Sequence, residues 1–309
     1  MFVYGDWKQP NKLEGLHRIS VPKLGYVWPI MGQLEDNEEF SERLIEKPDL
    51  HLVLWQKNFL HAFFNMVQYI LHYHRINNDA YFVIMFGLDY REEDKEINHA
   101  KFILKLLDDK KIKYELVYLK EESIVVKDAT YMSVIPFSSF VFKEVYDYCS
   151  TKINRVKSPN KVAYLARSKV PPKAENSIFN GKDQNSFRIK NDLRIEDEEV
   201  LIEYFKQKGF DIVYPEDFAS FEEQIIYFDS VKAMICPSGS GMANMMFLQP
   251  SQIVVELQTP VLIGGTQQVH PFYEGFAWAK KHNLITIPHE RKSEHIIEYF
   301  EKRKFLEYL

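Results

Sequence analysis

Short apolar runs alternate with longer amphipathic segments along the chain. In the first half, three apolar runs are predicted strands, and they cover residues 51–55, 80–86 and 114–119. Helical periodicity fills the intervals between them, from Asn58 onward and over residues 98–107. Strands that alternate with helices are typical of an α/β fold with parallel sheets. The pattern therefore predicts that the first half is built as a βαβαβ series.

The same alternation resumes after a polar, proline-containing segment at residues 150–161. We place a domain boundary there, which gives domains of residues 1–155 and 156–290, in keeping with the usual domain size. The predicted strands of the second half are residues 162–165, 210–213, 233–236 and 253–257, and its predicted helices are residues 197–208, 221–228 and 242–248. Residues 169–191 are polar and predict a long loop. The amphipathic tail, residues 291–309, is expected to pack on the N-terminal domain or on another subunit.

Composition and charge exclude several classes of partner. The net charge of -5, with no run of basic residues interleaved with aromatic ones, argues against nucleic-acid binding. Cys149 and Cys236 are the two cysteines, too few for a disulfide framework and without metal-ligand spacing. The apolar window at residues 59–71 is interrupted by polar side chains and is too short for a membrane span. We therefore expect a soluble, cytoplasmic protein with no membrane anchor.

A turn of small residues follows one predicted strand of the second half. Gly239 and Gly241 lie between that strand and the next helix, where backbone N–H groups can face an anion. Asn244 stands where a dinucleotide-binding motif needs its third glycine, which weakens the hypothesis of an NAD-dependent enzyme. Two interpretations stay open. In the first, the turn binds a diphosphate and Glu256 binds ribose hydroxyls. In the second, the glycines only allow close packing of the chain.

Several motifs of this region together resemble glycosyltransferase family 61. The resemblance is carried by "SFEEQI" (residues 220–225), by the turn with the strand that follows it, by "YLARSK" (164–169) and by "RIEDEEV" (194–200). The order and spacing of the family's motifs match over about residues 160–290. In the N-terminal half the resemblance is limited to "NFLHAFFN" (58–65). Ser238, Asp197 and Asn65 depart from the residues His, Asn and Asp that are common in the family.

This resemblance implies a fold of the GT-B kind, with two Rossmann-like domains facing across a cleft. It also implies transfer of a sugar, with inversion, from a nucleotide donor bound mainly by the C-terminal half to a glycan acceptor. The candidate donor-binding residues are Arg167, Ser168, Glu216, Ser238, Gly239, Ser240, Gly241, Asn244 and Glu256, with Arg188, Arg194 and His270 as further possibilities. Arg167 ends a predicted strand, where its forked donors suit phosphate oxygens.

The catalytic candidates are His61 and Asn65, which lie on the polar stripe of the helix that starts near Asn58. His61 is in the first turn, where the helix dipole favours a neutral base; the alternative is a hydrogen-bonded structural histidine. Asn65 would orient the acceptor or the ring. No D-x-D occurs in the sequence, so we expect metal-independent transfer without a cofactor. The family resemblance implies a UDP-sugar donor, with xylose, N-acetylglucosamine or arabinose as the sugar. The alternative is an inactive nucleotide- or glycan-binding module, which the departure at Asn65 motivates.

Overall fold

The computed structural model describes residues 11–20, 30–33, 41–55, 62–86, 98–119, 122–132, 139–167, 195–263, 266–268 and 273–309. These residues divide into two compact units, one up to residue 132 and one from residue 139. Each unit contains a sheet with parallel strands and helices, so the α/β class predicted from the sequence is confirmed. No helix within the described ranges combines the length and the apolar character needed to cross a membrane.

The first unit is organised around a mixed sheet whose central strands are parallel. Its strands are β1 (Asn11–Ser20), β2 (Ile30–Gln33), β3 (Arg43–Ile45), β4 (Leu50–Leu54), β5 (Tyr81–Phe86), β6 (Lys113–Tyr118) and β7 (Ile124–Tyr131). They lie in the order β2-β1-β7-β4-β5-β6, with β3 also paired to β7. Strands β4 to β7 pair in parallel. At one edge of the sheet, β1 pairs antiparallel with both β7 and β2. The three strands predicted in this half are β4, β5 and β6.

The helices of the first unit connect these parallel strands. A π-helical segment (Ala62–Val67) leads into α1 (Gln68–Ile76), and α2 (Asn98–Asp109) lies between β5 and β6. Leu52, Val83 and Val117 belong to one buried cluster, which explains the continuous apolar runs of β4 and β5. The helix predicted from Asn58 is confirmed from residue 62 onward. Its predicted first residues lie outside the described ranges.

The second unit contains a fully parallel sheet with a doubly wound strand order. Its strands are β8 (Lys161–Leu165), β9 (Asp211–Val213), β10 (Val231–Pro237), β11 (Ile253–Gln258) and β14 (Asn283–Pro288), and a separate hairpin is formed by β12 (Val261–Ile263) and β13 (Thr266–Gln268). The parallel strands lie in the order β14-β11-β10-β8-β9. The chain passes from β8 outward to β9 and then returns to the other side of β8. Its topological switch point is therefore between β8 and β10, the place where open α/β sheets bind ligands.

Five α-helices among the described residues cover this second sheet. They are α3 (Ser139–Thr151), α4 (Glu198–Gln207), α5 (Phe221–Asp229), α6 (Glu274–Lys280) and α7 (Ser293–Lys302). The start of α5 follows from its sequence, because Ser220 Oγ accepts a hydrogen bond from the Glu223 amide and the Glu223 carboxylate accepts one from the Ala219 amide. The predicted α-helix at residues 242–248 is wrong in type: Ser240–Met246 is a 3₁₀-helix, closed by bonds such as that from the Met242 amide to the Gly239 carbonyl.

The division between the units lies earlier in the chain than the boundary we placed at residues 155 and 156. Helix α3 belongs to the second unit because it packs on α6, where Lys280 Nζ lies 3.0 Å from the centre of the Tyr146 ring. The C-terminal helix α7 buries Ile296 and Phe300 in the core of the second unit, together with Phe205 of α4. Its apolar face is thus occupied within this unit, and its packing on the N-terminal half stays a prediction.

Burial of Lys280 makes the stability of the second unit dependent on pH. Only 6% of Lys280 is exposed, and this burial lowers the pKa of its ammonium group to about 7. The unfolded chain keeps this proton up to about pH 10.5, so the unfolded state binds more protons between pH 7 and pH 10.5. The free energy of unfolding should therefore rise with pH through this window.

We predict that Lys280→Met removes most of this rise. Between pH 7 and pH 9.5 the unaltered chain should gain up to about 3 kcal/mol more stability than Lys280→Met in urea unfolding, because methionine has no charge to desolvate. Lys281→Met, at an exposed neighbouring position, is the control and should keep the pH dependence of the unaltered chain. An identical pH profile for the unaltered chain and Lys280→Met would contradict the prediction.

Candidate functional site

The candidate site lies at the carboxyl edge of the parallel sheet in the second unit. Because all five strands of this sheet run in the same direction, the residues that follow them are brought to one edge. Arg167 follows β8, the turn at Ser238–Gly241 follows β10, and His289 follows β14. Arg167 and the turn flank the switch point between β8 and β10. Arg167 and the turn, which the sequence predicted for donor binding, thus lie at the position where this topology places a ligand, and their contact with a donor stays a prediction.

Arg167 is held across the turn by a hydrogen bond to the backbone. Its Nη2 donates to the Ser238 carbonyl, and its own amide donates to the Glu198 carboxylate at 3.1 Å. Among the residues that the structure describes, no carboxylate forms an ion pair with the Arg167 guanidinium, which is half-buried. The alternative of an arginine neutralised by a surface carboxylate therefore finds no support in this part of the chain. The guanidinium keeps its charge and its remaining donors for an anion.

Gly239 has a backbone conformation that side-chain-bearing residues rarely adopt. Its φ is 150°, and a Cβ added to it would lie 3.2 Å from Arg167 Nη2. Its carbonyl accepts a hydrogen bond of 2.6 Å from the hydroxyl of Tyr273, which is 3% exposed. Sequence reasoning missed Tyr273, because this contact joins residues far apart in the chain and leaves no local pattern. The glycine thus lets the arginine approach the turn, and the tyrosine hydroxyl anchors the turn at the Gly239 carbonyl.

Gly241 and Asn244 are involved in packing and in closing the turn. A Cβ on Gly241 would lie 3.1 Å from Leu165 Cδ2 and 3.3 Å from Cys236 Sγ, so this glycine allows close contact with the sheet. Asn244 is fully buried; its Nδ2 donates to the Gly241 carbonyl at 2.9 Å, and its Oδ1 accepts from Gln224 Nε2 at 2.5 Å. The packing interpretation of the glycines is therefore supported at Gly241. Direct binding of a donor by Asn244 stays a prediction.

The carboxylate of Glu256 is hydrogen-bonded to the turn and to two other residues. One of its oxygens accepts a hydrogen bond from Gln258 Nε2 at 3.0 Å, the other accepts one from Thr286 Oγ1 at 3.4 Å, and the Ser238 side chain also bonds to it. The residue is 1% exposed, and this burial raises the pKa of its carboxyl group, whereas the hydrogen bonds oppose the shift. These contacts give Glu256 a role in supporting the turn, and its predicted contact with ribose is not tested by them.

A second group of carboxylates connects the start of α4 to the ends of two strands. Glu198 accepts hydrogen bonds from the Tyr164 hydroxyl at 2.8 Å and from the Arg167 amide at 3.1 Å. Asp197 accepts from the Ser293 amide at 2.9 Å and from its hydroxyl at 2.8 Å, and the amide bond is the main reason why the pKa of Asp197 is lowered. Asp197 thereby caps the first turn of α7. These two carboxylates at the start of α4 thus help to fix the carboxyl edge of the sheet.

The structure describes some of the other predicted site residues, whereas the rest lie outside the described ranges. Ser238 is half-buried and Ser240 is exposed, both in the turn, and Glu216 is exposed in the 3₁₀-helix Pro215–Asp217 that follows β9 at the same edge. Asn65 is half-buried in the π-helical segment of the first unit. The remaining predictions, His61, Ser168, Arg188, Arg194 and His270, lie outside the described residues. Within the described ranges, no cluster of three or more His, Cys, Asp or Glu side chains could hold a metal ion.

We predict that Gly239→Ala destabilises the chain and displaces Arg167. The substitution combines backbone strain with a contact against the guanidinium, and should lower the free energy of unfolding by about 1–3 kcal/mol in urea unfolding. Gly209→Ala is the matched control: Gly209 has a φ of 82° and open space around its added Cβ. Both variants should lose stability, but only Gly239→Ala should shift the guanidinium resonances of Arg167 in NMR spectra. Unchanged Arg167 resonances in Gly239→Ala would disprove the close approach.

A family model of known proteins matches the chain across the described units. The family model described as Glycosyltransferase 61 matches residues 58–255, which is more than half of the chain. The match begins at Asn58, where the N-terminal resemblance begins, and it extends through β8, α5 and the turn at Ser238–Gly241. A search of curated proteins finds no match. The family match over both units, together with the site geometry, shows that this chain belongs to glycosyltransferase family 61.

Proposed function

We propose that the chain transfers a sugar from a UDP-sugar to a hydroxyl group of a glycan acceptor, with the donor diphosphate bound at the carboxyl edge of the second sheet. Membership of the family supports a glycosyltransferase, and therefore a nucleotide-sugar donor and a glycan acceptor in general. The observation that carries the position of the diphosphate is the Arg167 guanidinium, held over the Ser238–Gly241 turn at the switch point.

The chemistry of sugar transfer explains why a cation is needed there. As the glycosidic bond of the donor breaks, negative charge develops on the departing diphosphate. A guanidinium with free donors can bind two of its oxygens at once, and a preorganised contact of this kind stabilises the leaving group without reorganisation. Arg167 is preorganised because the Ser238 carbonyl and the close fit over Gly239 fix its position.

We further propose that the transfer is inverting and independent of metal, within a two-domain GT-B arrangement. The absence of D-x-D from the sequence supports metal independence, because Arg167 would then neutralise the charge that a divalent cation neutralises elsewhere. Inversion needs one base near the acceptor hydroxyl, and His61 is our candidate, with Asn65 orienting the acceptor. The donor sugar is expected to be xylose, N-acetylglucosamine or arabinose.

The topology of the first unit supports an acceptor site near Asn65. Strands β4, β5 and β6 follow one another outward, and β7 returns to the other side of β4, so this sheet has its own switch point between β4 and β7. The π-helical segment that contains Asn65 follows β4 in the chain. Such segments are frequent at functional sites, and ligands bind beyond the carboxyl ends of strands at a switch point.

A second candidate function is a nucleotide- or glycan-binding module that has lost catalysis. The observation that favours it is Asn65, which stands where an aspartate is common in the family and cannot act as a carboxylate base. The two functions differ in turnover. A screen of UDP-sugars for transfer and for slow donor hydrolysis separates them, because the module would bind UDP without releasing it from any UDP-sugar.

We predict that Arg167→Ala weakens UDP binding about 10- to 100-fold in calorimetric titration, because the diphosphate loses a charge-assisted hydrogen bond. Arg303→Ala is the control, since it removes the same charge from an exposed position next to the Tyr299 ring. The control should bind UDP as the unaltered chain does. Equal affinities for all three proteins would remove Arg167 from the site.

We predict that His61→Ala lowers kcat for transfer about 100-fold while the dissociation constant of UDP stays the same, because a base acts on the acceptor and not on the donor. His72→Ala is the matched control, on the same polar stripe of the helix. Its kcat should stay close to that of the unaltered chain. A parallel loss of kcat and UDP affinity in His61→Ala would indicate a structural histidine.

A further inference from the structure

His289 is a buried histidine at the candidate site that the proposed chemistry has not yet used. It follows β14 directly, is 4% exposed, and lies beside the end of β11, where its amide donates to the Gln258 carbonyl at 3.0 Å. Its Nε2 is buried and has no hydrogen-bond partner within the described part of the chain. A polar side chain buried in this way calls for a reason, and a ligand is one such reason.

The hydrogen bonding of the ring shows which nitrogen carries the proton. The Arg291 amide donates to His289 Nδ1 at 3.0 Å, so Nδ1 is an acceptor and a neutral ring carries its proton on Nε2. Burial lowers the pKa of His289 to about 4, and the charges of Arg167 and Arg291 add to this shift, so the ring is neutral at pH 7. The group without a partner is therefore an N–H donor.

The surroundings of this donor favour an anionic acceptor. The Leu257 carbonyl lies close enough to the ring to raise the pKa of His289 as a backbone acceptor does, but its geometry with Nε2 is not that of a hydrogen bond. It already accepts from the Ser238 amide at 2.8 Å. Arg167 follows β8 and His289 follows β14, so both lie at the carboxyl edge of the sheet, and the charge of Arg167 helps to lower the pKa of His289. Both groups are donors, and neither can accept from the other.

A second buried histidine, at the opposite end of β14, provides a comparison for His289. His282 precedes β14, at the amino end of the strand, and its Nε2 lies 3.0 Å from the Met245 carbonyl. Its Nε2 therefore donates, and the nitrogen without a partner, Nδ1, is a weak acceptor. His282 lies at the edge where parallel sheets do not bind ligands, whereas His289 presents a donor at the edge where they do.

We propose that His289 Nε2–H donates a hydrogen bond to a phosphoryl oxygen of the donor diphosphate and so completes, with Arg167, the site for the leaving group. This role rests on the proposed function, because it needs a nucleoside diphosphate at the switch point. The short turn after β14 preorganises the ring: Arg291 has a φ of 64°, its amide holds Nδ1, and its carbonyl accepts from the Glu196 amide at 2.9 Å.

Two polar substitutions test the Nε2–H group of His289 separately from the Nδ1 atom that accepts the Arg291 amide. In His289→Asn the amide oxygen can replace Nδ1 as the acceptor for the Arg291 amide, but the distal donor is lost. In His289→Gln the longer side chain can place its amide near the position of Nε2. Calorimetric titration with UDP should show about 10-fold weaker binding to His289→Asn and a loss within about threefold for His289→Gln.

Two further measurements distinguish a ligand contact from a structural role. Urea unfolding should show that the free His289→Asn protein is folded under the conditions of the titration; the smaller side chain loses some packing, but Nε2 has no hydrogen-bond partner to lose. In NMR spectra, UDP should shift the Nε2–H resonance of His289 and leave that of His282 in place. His282→Leu should keep the UDP affinity of the unaltered chain, although it removes the bond to Met245.

The outcomes also separate this inference from the proposed function. If UDP binds the unaltered chain and His289→Asn with equal affinity, the role of His289 is overturned while the donor site stands. A loss of affinity in His289→Asn that is matched by unfolding of the variant, with no shift of the His289 resonance on addition of UDP, also overturns it. If UDP does not bind the unaltered chain at all, the proposed function fails, and the role of His289 fails with it.

Discussion

The Arg167 guanidinium, held over a glycine turn by the Ser238 carbonyl, is the interaction on which the candidate site depends. It puts a positive charge at the switch point of a parallel sheet, and no described carboxylate pairs with that charge. The approach is possible only because residue 239 has no side chain and adopts a φ of 150°. A half-buried cation without a paired anion lowers stability, because its charge is partly desolvated. Binding of a diphosphate would offset this cost.

The remainder of the second unit fixes the residues around this charge. Glu198 ties the end of β8 to α4, and Asp197 ties α4 to the segment that follows β14. Glu256 and Tyr273 support the turn through hydrogen bonds to the Ser238 side chain and to the Gly239 carbonyl, respectively. These hydrogen bonds are largely withdrawn from solvent, so the strand ends are held in one arrangement before any ligand binds. Such preorganisation is what stabilisation of a departing diphosphate requires.

Much of the fold could be predicted from the sequence because the central strands are buried on both faces. Strands β4, β5, β10 and β11 have mostly apolar sequences, and the motif at Ser220 and Glu223 caps α5 as its residues suggest. Strand β14 was not predicted, since most of its side chains are only half-buried at the sheet edge and its apolar pattern is weaker. His289 was therefore not placed at the site. Tyr273 and Gln224 act through contacts between distant residues, which no local pattern reveals.

A crystal structure of the chain with UDP tests the central claim most directly. Our interpretation predicts that the diphosphate lies at the carboxyl edge between β8 and β10, with its oxygens within hydrogen-bonding distance of Arg167 and the Ser238–Gly241 turn. A diphosphate bound elsewhere, with Arg167 still directed only at the Ser238 carbonyl, would contradict it.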